Sequence, residues 1–192
     1  MKNIIGIVLA GGQSKRFGEP KALAKRNGKP FLMISVDALK EVADEIVAVI
    51  RPEIKTGLPE LQNIPYTYDL KIYKGHGPLA GIYTVMSKYN SEWYLVAPCD
   101  TPFIKAVVFQ KLAGYLNTPY EAVVPIVNGK TEPLAAAYHQ KTKKVIKSLL
   151  EQKKLSVKEL LGQIKVKYVK FDDEKLFLNI NTKEDYETFN QY

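Results

Sequence analysis

The chain has 192 residues, 46% of them apolar and 25% charged, with a formal net charge of +8, the make-up of an ordinary soluble globular protein. No run of about 18 apolar residues occurs, so no membrane span is expected. The single cysteine, Cys99, excludes an internal disulfide and suits a reducing cytoplasm, and with only His76 and His139 a Cys/His zinc site is not expected.

The sequence runs from Met1-Lys2-Asn3 straight into an apolar strand, which leaves no room for a signal peptide. The positive charge favours acidic partners. The lysines are dispersed and thicken only toward the C-terminal half, at Lys141, Lys143, Lys144, Lys147, Lys153, Lys154 and Lys158. They lack the aromatic interleaving of a single-strand binder. A polyanionic small molecule accounts for the charge as well as nucleic acid does.

Ile4, Ile5, Ile7, Val8 and Leu9 predict a strand buried on both faces. A loop with Gly11, Gly12 and Gly18 follows. Apolar spacing predicts a helix over 30–42, with Pro30 in its first turn. A second strand covers 46–50, and 52–65 reads as loop with a short helix. A short strand over 66–69 ends at Asp69, and 79–89 is helical. Trp93 to Ala97 form a central strand that empties into Pro98-Cys99-Asp100-Thr101-Pro102. A helix over 104–116 precedes strands at 122–127 and 134–138. Helices are expected over 141–150 and 157–161, the latter capped by Ser156. Late strands at 166–171 and 176–180 lead to a closing helix over 182–190, with Thr182 capping and Asp185 in its first turn.

This alternation predicts one α/β domain over residues 1–192, with a mostly parallel sheet in a three-layer α/β/α, Rossmann-like arrangement. Ligands in such sheets sit beyond the carboxyl ends of the strands. The 9–21 loop, Asp69 and Asp100 all follow predicted strands.

The loop after the first strand combines glycines with Lys15, Arg16 and Lys21. Glycine lets backbone N–H groups approach a ligand, and N–H rows with fixed cations make a phosphate cradle. Neither familiar phosphate motif fits. A Walker A loop ends Gly-Lys-Ser/Thr, whereas Gly18 is followed by Glu19-Pro20. A dinucleotide fingerprint opens a helix, which Pro20 prevents. Asp100 reads either as a turn-former or as a ligand for Mg²⁺, which favours one or two carboxylates plus phosphate oxygens.

The string Leu9-Ala10-Gly11-Gly12-x-Ser14-x-Arg16-Phe17-Gly18-x-x-Lys21 resembles the signature loop of nucleotidyltransferases with a Rossmann-like core. Its double glycine, together with Pro98-Cys99-Asp100-Thr101-Pro102, is similar to the molybdenum cofactor guanylyltransferases. Cytidylyl relatives tend to read Leu-Ala-Ala-Gly and Gly-Asp-Gln-Pro at these places. The resemblance extends to Gly77-Pro78-Leu79-Ala80-Gly81, to Asp69, to Glu132-Pro133-Leu134 and to Asn179-Ile180-Asn181-Thr182. One departure is Arg51, where many relatives carry an asparagine.

The resemblance implies transfer of GMP from GTP to the phosphate of molybdenum-molybdopterin, with release of pyrophosphate. It implies that Leu9, Ala10, Gly11, Gly12, Lys21, Asp69 and Asp100 bind the nucleotide. Asp100 would hold Mg²⁺, Arg16 would neutralise the pyrophosphate, and Lys21 would sit by the α-phosphate. Asn179 and Asn181 would meet the pterin acceptor, with Glu132 lining its groove. GTP and molybdenum-molybdopterin are the partners this implies, with room for a cofactor-delivery or molybdoenzyme-maturation protein. The rival readings are a CTP-dependent or sugar-phosphate transferase, a non-catalytic nucleotide or pterin carrier, and a nucleic-acid binder.

Overall fold

A computed structural model describes residues 3–12, 16–116 and 119–190. In chain order its elements are β1 (Ile4–Leu9), β2 (Lys25–Arg26), β3 (Lys29–Pro30), α1 (Phe31–Lys40), β4 (Glu45–Val49), α2 (Pro52–Gly57), β5 (Tyr66–Thr67), α3 (Gly77–Lys88) and β6 (Trp93–Pro98). Then come α4 (Ala106–Ala113), β7 (Ala122–Val127), β8 (Lys130–Thr131), β9 (Ala137–His139), α5 (Thr142–Glu151), α6 (Val157–Leu161), β10 (Val166–Phe171) and α7 (Lys183–Asn190).

The main sheet runs β10-β7-β9-β6-β1-β4-β5, with β8 paired to β7. β1 pairs in parallel with both β4 and β6, and β10 pairs in parallel with β7. β9 runs antiparallel to both its neighbours. From β1 the chain builds outward through β4 and β5, then returns to start β6 on the other side of β1. That reversal makes the carboxyl ends of β1 and β6 the place where two adjacent loops diverge and leave a crevice.

The apolar runs are continuous because each central strand is covered on both faces. Val8, Leu95 and Ala97 pack with Leu32, Val36 and Leu39 of α1 and with Val108, Phe109 and Leu112 of α4. Ile5, Ile7, Tyr94 and Val96 face the opposite way, against Leu79, Ile82 and Val85 of α3 and Ile146 and Leu149 of α5. A third, smaller cluster joins Phe17, Ala24, Phe31, Phe103 and Ile180, with Leu178, Tyr186 and Phe189 against it. It clamps the C-terminal segment onto the loop that follows β1.

Most expected elements are present, with ends shifted by a few residues. The strand expected over 176–180 is absent. Glu174–Phe177 forms a 3-10 turn, with the Asp173 carboxylate accepting from the Lys175 N–H. Leu176 and Phe177 are both buried, in succession, which a strand with one covered face does not allow. Residues 178–180 join no strand ladder; the Ile180 N–H instead donates to the Asp100 carbonyl. The hairpin β2–β3 was not anticipated. Its turn is Asn27-Gly28, both at positive φ (50° and 75°), which suits a two-residue hairpin.

Candidate active site

Leu9 pairs with Pro98, and the Cys99 N–H donates to the Leu9 carbonyl at 3.2 Å. The Gly11-Gly12 backbone and Asp100 therefore emerge side by side from adjacent strands. Lys21 stands in a 3-10 turn, Lys21–Leu23, whose Ala22 is buried in the core. Its ammonium donates to Asp100 Oδ2 at 3.0 Å, to the Ile180 carbonyl at 3.1 Å and to Asn181 Oδ1 at 3.0 Å. The Lys21 side chain is only 12% exposed and that of Asp100 30%, so the ion pair is held at the base of the crevice.

The C-terminal segment is bound to the β6 loop by further contacts. The Ile180 N–H donates to the Asp100 carbonyl at 2.8 Å, and the Thr101 hydroxyl donates to Asn179 Oδ1 at 2.8 Å. Ile180 is buried while Asn179 and Asn181 are exposed, so both amides lie on the open side of the segment. Asp185 Oδ2 accepts from the N–H groups of Asn181 and Thr182, each at 2.8 Å, and its own N–H donates to the Thr182 hydroxyl at 3.0 Å. These bonds, that of Asn181 foremost, hold the Asp185 carboxyl below the ordinary carboxylate value.

Phe17 anchors the loop after β1. It is 3% exposed, and its ring meets Tyr186 edge-on at 5.6 Å. Gly18 follows at φ +86°, a backbone geometry that side chains rarely adopt. Arg16 is exposed. Ser14 and Lys15 lie outside the described residues.

On the other flank, Asp69 sits between the first loop and α3. A Cβ on Gly11 would lie 3.9 Å from Asp69 Oδ2, and one on Gly81 would lie 3.7 Å from Oδ1 and 2.8 Å from Leu9 Cδ2. Gly81 thus permits a close approach of α3 to β1 that closes the crevice around Asp69. Burial raises the Asp69 carboxyl above its ordinary value. A Cβ on Gly12 would meet nothing within 4 Å among the described residues, so protein packing does not demand glycine there. Ala10, at 2% exposure, belongs to the core, and its N–H donates to the Val49 carbonyl at 2.8 Å, so only its carbonyl is left for a ligand. Arg51 stands just before α2 without a side-chain capping bond, and pairs with Glu53.

The sequence reasoning missed three contributors: the Thr101 hydroxyl, the Ile180 carbonyl and Arg26. The Arg26 guanidinium lies 4.2 Å over the Phe103 ring and donates to the Pro102 carbonyl at 3.3 Å, which steadies the Asp100 loop. The Asn27-Gly28 turn signals the hairpin that carries Arg26, but not the contacts Arg26 makes. Burial pushes the Cys99 thiol up to about 12, which disfavours the thiolate form a nucleophile needs.

Among the described residues no three His, Cys, Asp or Glu side chains gather as a metal cage. A single carboxylate, Asp100, at the crevice floor fits Mg²⁺ carried on phosphates, because that ion takes most of its ligands from phosphate and water.

The profile of the MobA-like NTP transferase domain matches residues 6–167. The chain belongs to that family. It is 43% identical over 190 residues to a "probable molybdenum cofactor guanylyltransferase" of Bacillus cytotoxicus, covering 97% of this chain and 96% of the relative. A Bacillus cereus protein of the same name is 42% identical over 190 residues, covering 97% and 95%. Among solved structures it is similar to molybdopterin-guanine dinucleotide biosynthesis protein A from Archaeoglobus fulgidus, with a TM-score of 0.80, 25% identity and 97% of each chain covered. The match runs from Gly6, within β1, to Lys167, at the start of β10, and so holds the 9–21 loop, Asp69 and Asp100. The Asn179–Asn181 segment lies beyond the profile match but within the 190 residues aligned to the Bacillus relatives. No helix among the described residues is long and apolar enough to cross a membrane.

Proposed function

We propose that this protein is a cytoplasmic molybdenum cofactor guanylyltransferase. It joins GMP from GTP to the phosphate of molybdenum-molybdopterin and releases pyrophosphate. The observation that carries this reading is the Lys21 ammonium, which holds Asp100 and the Asn181 segment at one point. A group so placed can neutralise charge where donor and acceptor phosphates meet.

An acceptor phosphate oxygen attacks the α-phosphorus of GTP, the bond to the β-phosphate oxygen breaks, and pyrophosphate leaves. Both reactants are anions, so positioning and charge neutralisation do the catalysis. The N–H groups of Gly11 and Gly12 cradle the phosphates, and exposed Arg16 swings onto the leaving pyrophosphate. Lys21 exchanges part of its contact with Asp100 for an α-phosphate oxygen. Asp100 holds Mg²⁺, which when bound offsets the charge on phosphate oxygens. No general base is needed, since the attacking phosphate is ionised at neutral pH. Asp69 accepts from the N1–H and 2-amino group of guanine, and Asn179 and Asn181 hold the acceptor.

Calorimetric titration with GTP, CTP and ATP, each with and without Mg²⁺, tests the donor. Mg²⁺-dependent preference for GTP is expected. Preference for CTP moves the protein to the cytidylyl branch, and no nucleotide binding overturns the reading.

A further inference from the structure

Two partly buried carboxylates have no hydrogen bond or ion pair among the described residues: Asp69 and Glu132. The others of their kind are all engaged. Asp37 pairs with Lys29 and Lys40, Glu92 with His139, and Asp100 with Lys21. Glu121 accepts from the Lys165 N–H, and Asp185 from Asn181 and Thr182. A half-buried carboxylate without a partner loses hydration and gains nothing in return within the protein. Burial accordingly raises the Glu132 carboxyl above its ordinary value, against the opposing pull of Lys130.

Register puts Glu132 at the crevice. β9 lies between β6 and β7, and its ladder ends where Val96 and Ala136 exchange backbone hydrogen bonds. β10 occupies the outer side of β7 along its whole length, up to Phe171 opposite Val127. β8, paired with Ile126 and Val127, therefore takes the inner side that β9 vacates. The next residue is Glu132, whose N–H donates to the Pro125 carbonyl at 3.0 Å. Val123 is level with Ala137 and so with Leu95, so Pro125 is level with Ala97. Glu132 thus stands between β7 and β6, abreast of the last residues of β6 and just before Asp100. Asp69 lies on the opposite side of the Lys21–Asp100 pair, beyond β1.

We infer that Glu132 is the carboxylate that reads the pterin ring of the acceptor, as Asp69 reads the guanine ring of the donor. The inference rests on the acceptor being a pterin, as proposed above. Pterin and guanine share one hydrogen-bonding edge, a ring N–H beside an exocyclic amino group. Two parallel N–H donors match the two oxygens of one carboxylate. The two heterocycles flank the Lys21–Asp100 pair, and each ends on an acid that has no partner among the described residues.

The probes are 6-hydroxymethylpterin monophosphate and its lumazine counterpart, in which a 2-oxo group replaces the amino group. Their binding is followed by fluorescence to the wild type and to Glu132→Gln, with GTP affinity and melting temperature measured alongside. The wild type should prefer the pterin at least about ten-fold. In Glu132→Gln, whose amide can donate to the 2-oxo group, that preference should collapse while GTP affinity holds. An unchanged preference, or parallel loss of GTP affinity, overturns the inference alone. A wild type that binds GTP but neither probe overturns the pterin acceptor and the inference with it.

Discussion

Lys21 Nζ lies 3.0 Å from Asp100 Oδ2 although 79 residues separate them in the chain. The pair forms because β1 and β6 are neighbours at the reversal of the sheet, and the same ammonium reaches the Ile180 carbonyl and Asn181. Lys21→Ala removes all of these bonds. Turnover should fall on the order of a hundred- to a thousand-fold, the scale of losing one fixed transition-state charge partner. The melting temperature should also drop, by about 3–12 °C, since hydrogen bonds to a charged group contribute roughly 1.5–3 kcal/mol. Steady-state kinetics and thermal denaturation check this; near wild-type turnover would remove Lys21 from the mechanism.

Asp69 should behave as a group the fold disfavours in its charged form. Its carboxyl is raised by burial, so the folded protein holds that proton more tightly than the unfolded chain. Stability is then lost as pH rises from the ordinary carboxylate range through the raised value. Asp69→Asn should melt above the wild type near neutral pH, and this gain should vanish near pH 4. GTP affinity should fall about ten- to a hundred-fold. Equal melting of the two proteins at neutral pH would show that Asp69 carries no such strain.

Asp185 has the opposite sign. Its lowered carboxyl contributes stability above the ordinary carboxylate range that is lost as pH falls through the lowered value. Asp185→Ala removes the back-reaching half of the capping box of α7 and frees the N–H groups of Asn181 and Thr182, while the Thr182 hydroxyl still accepts from the N–H of residue 185. A loss of up to about 1 kcal/mol is expected. Because Asn181 is also released, the KM for the acceptor should rise while that for GTP stays constant. A change confined to melting temperature would reduce Asp185 to a structural cap.

The glycines of the crevice should separate into two kinds. Gly81→Ala pushes Leu9, since the added Cβ would lie 2.8 Å from Leu9 Cδ2; it should raise the KM for GTP with a small change in stability. Gly12→Ala meets no protein atom within 4 Å among the described residues, so it should fold as the wild type does and act only on the ligand. The GTP-to-CTP affinity ratio should fall, and an unchanged ratio would take Gly12 out of base selection.

The sheet was legible because its strands are buried on both faces, so Ile4–Leu9 and Trp93–Pro98 stand out as apolar runs. The Ser156 cap and the Thr182–Asp185 cap were legible from local chemistry; Glu159 completes the box at Ser156. The segment around 176–180 was not. Its alternating Asn179, Ile180 and Asn181 mimic a strand, but its conformation is set by Lys21, Thr101 and Asp100, more than 75 residues away in the chain. Local pattern carries no trace of such contacts. The role of Arg26 was hidden for the same reason, since its partners Pro102 and Phe103 belong to a different loop.

The central claim is that the α-phosphate of GTP moves to the pterin phosphate. Incubation of the protein with molybdenum-molybdopterin, Mg²⁺ and GTP labelled at either the α- or the γ-phosphate tests it most directly. The account predicts α-label in a pterin guanine dinucleotide and γ-label in an equal amount of pyrophosphate. Transfer of γ-label to the acceptor, or GTP binding without any dinucleotide, would contradict it.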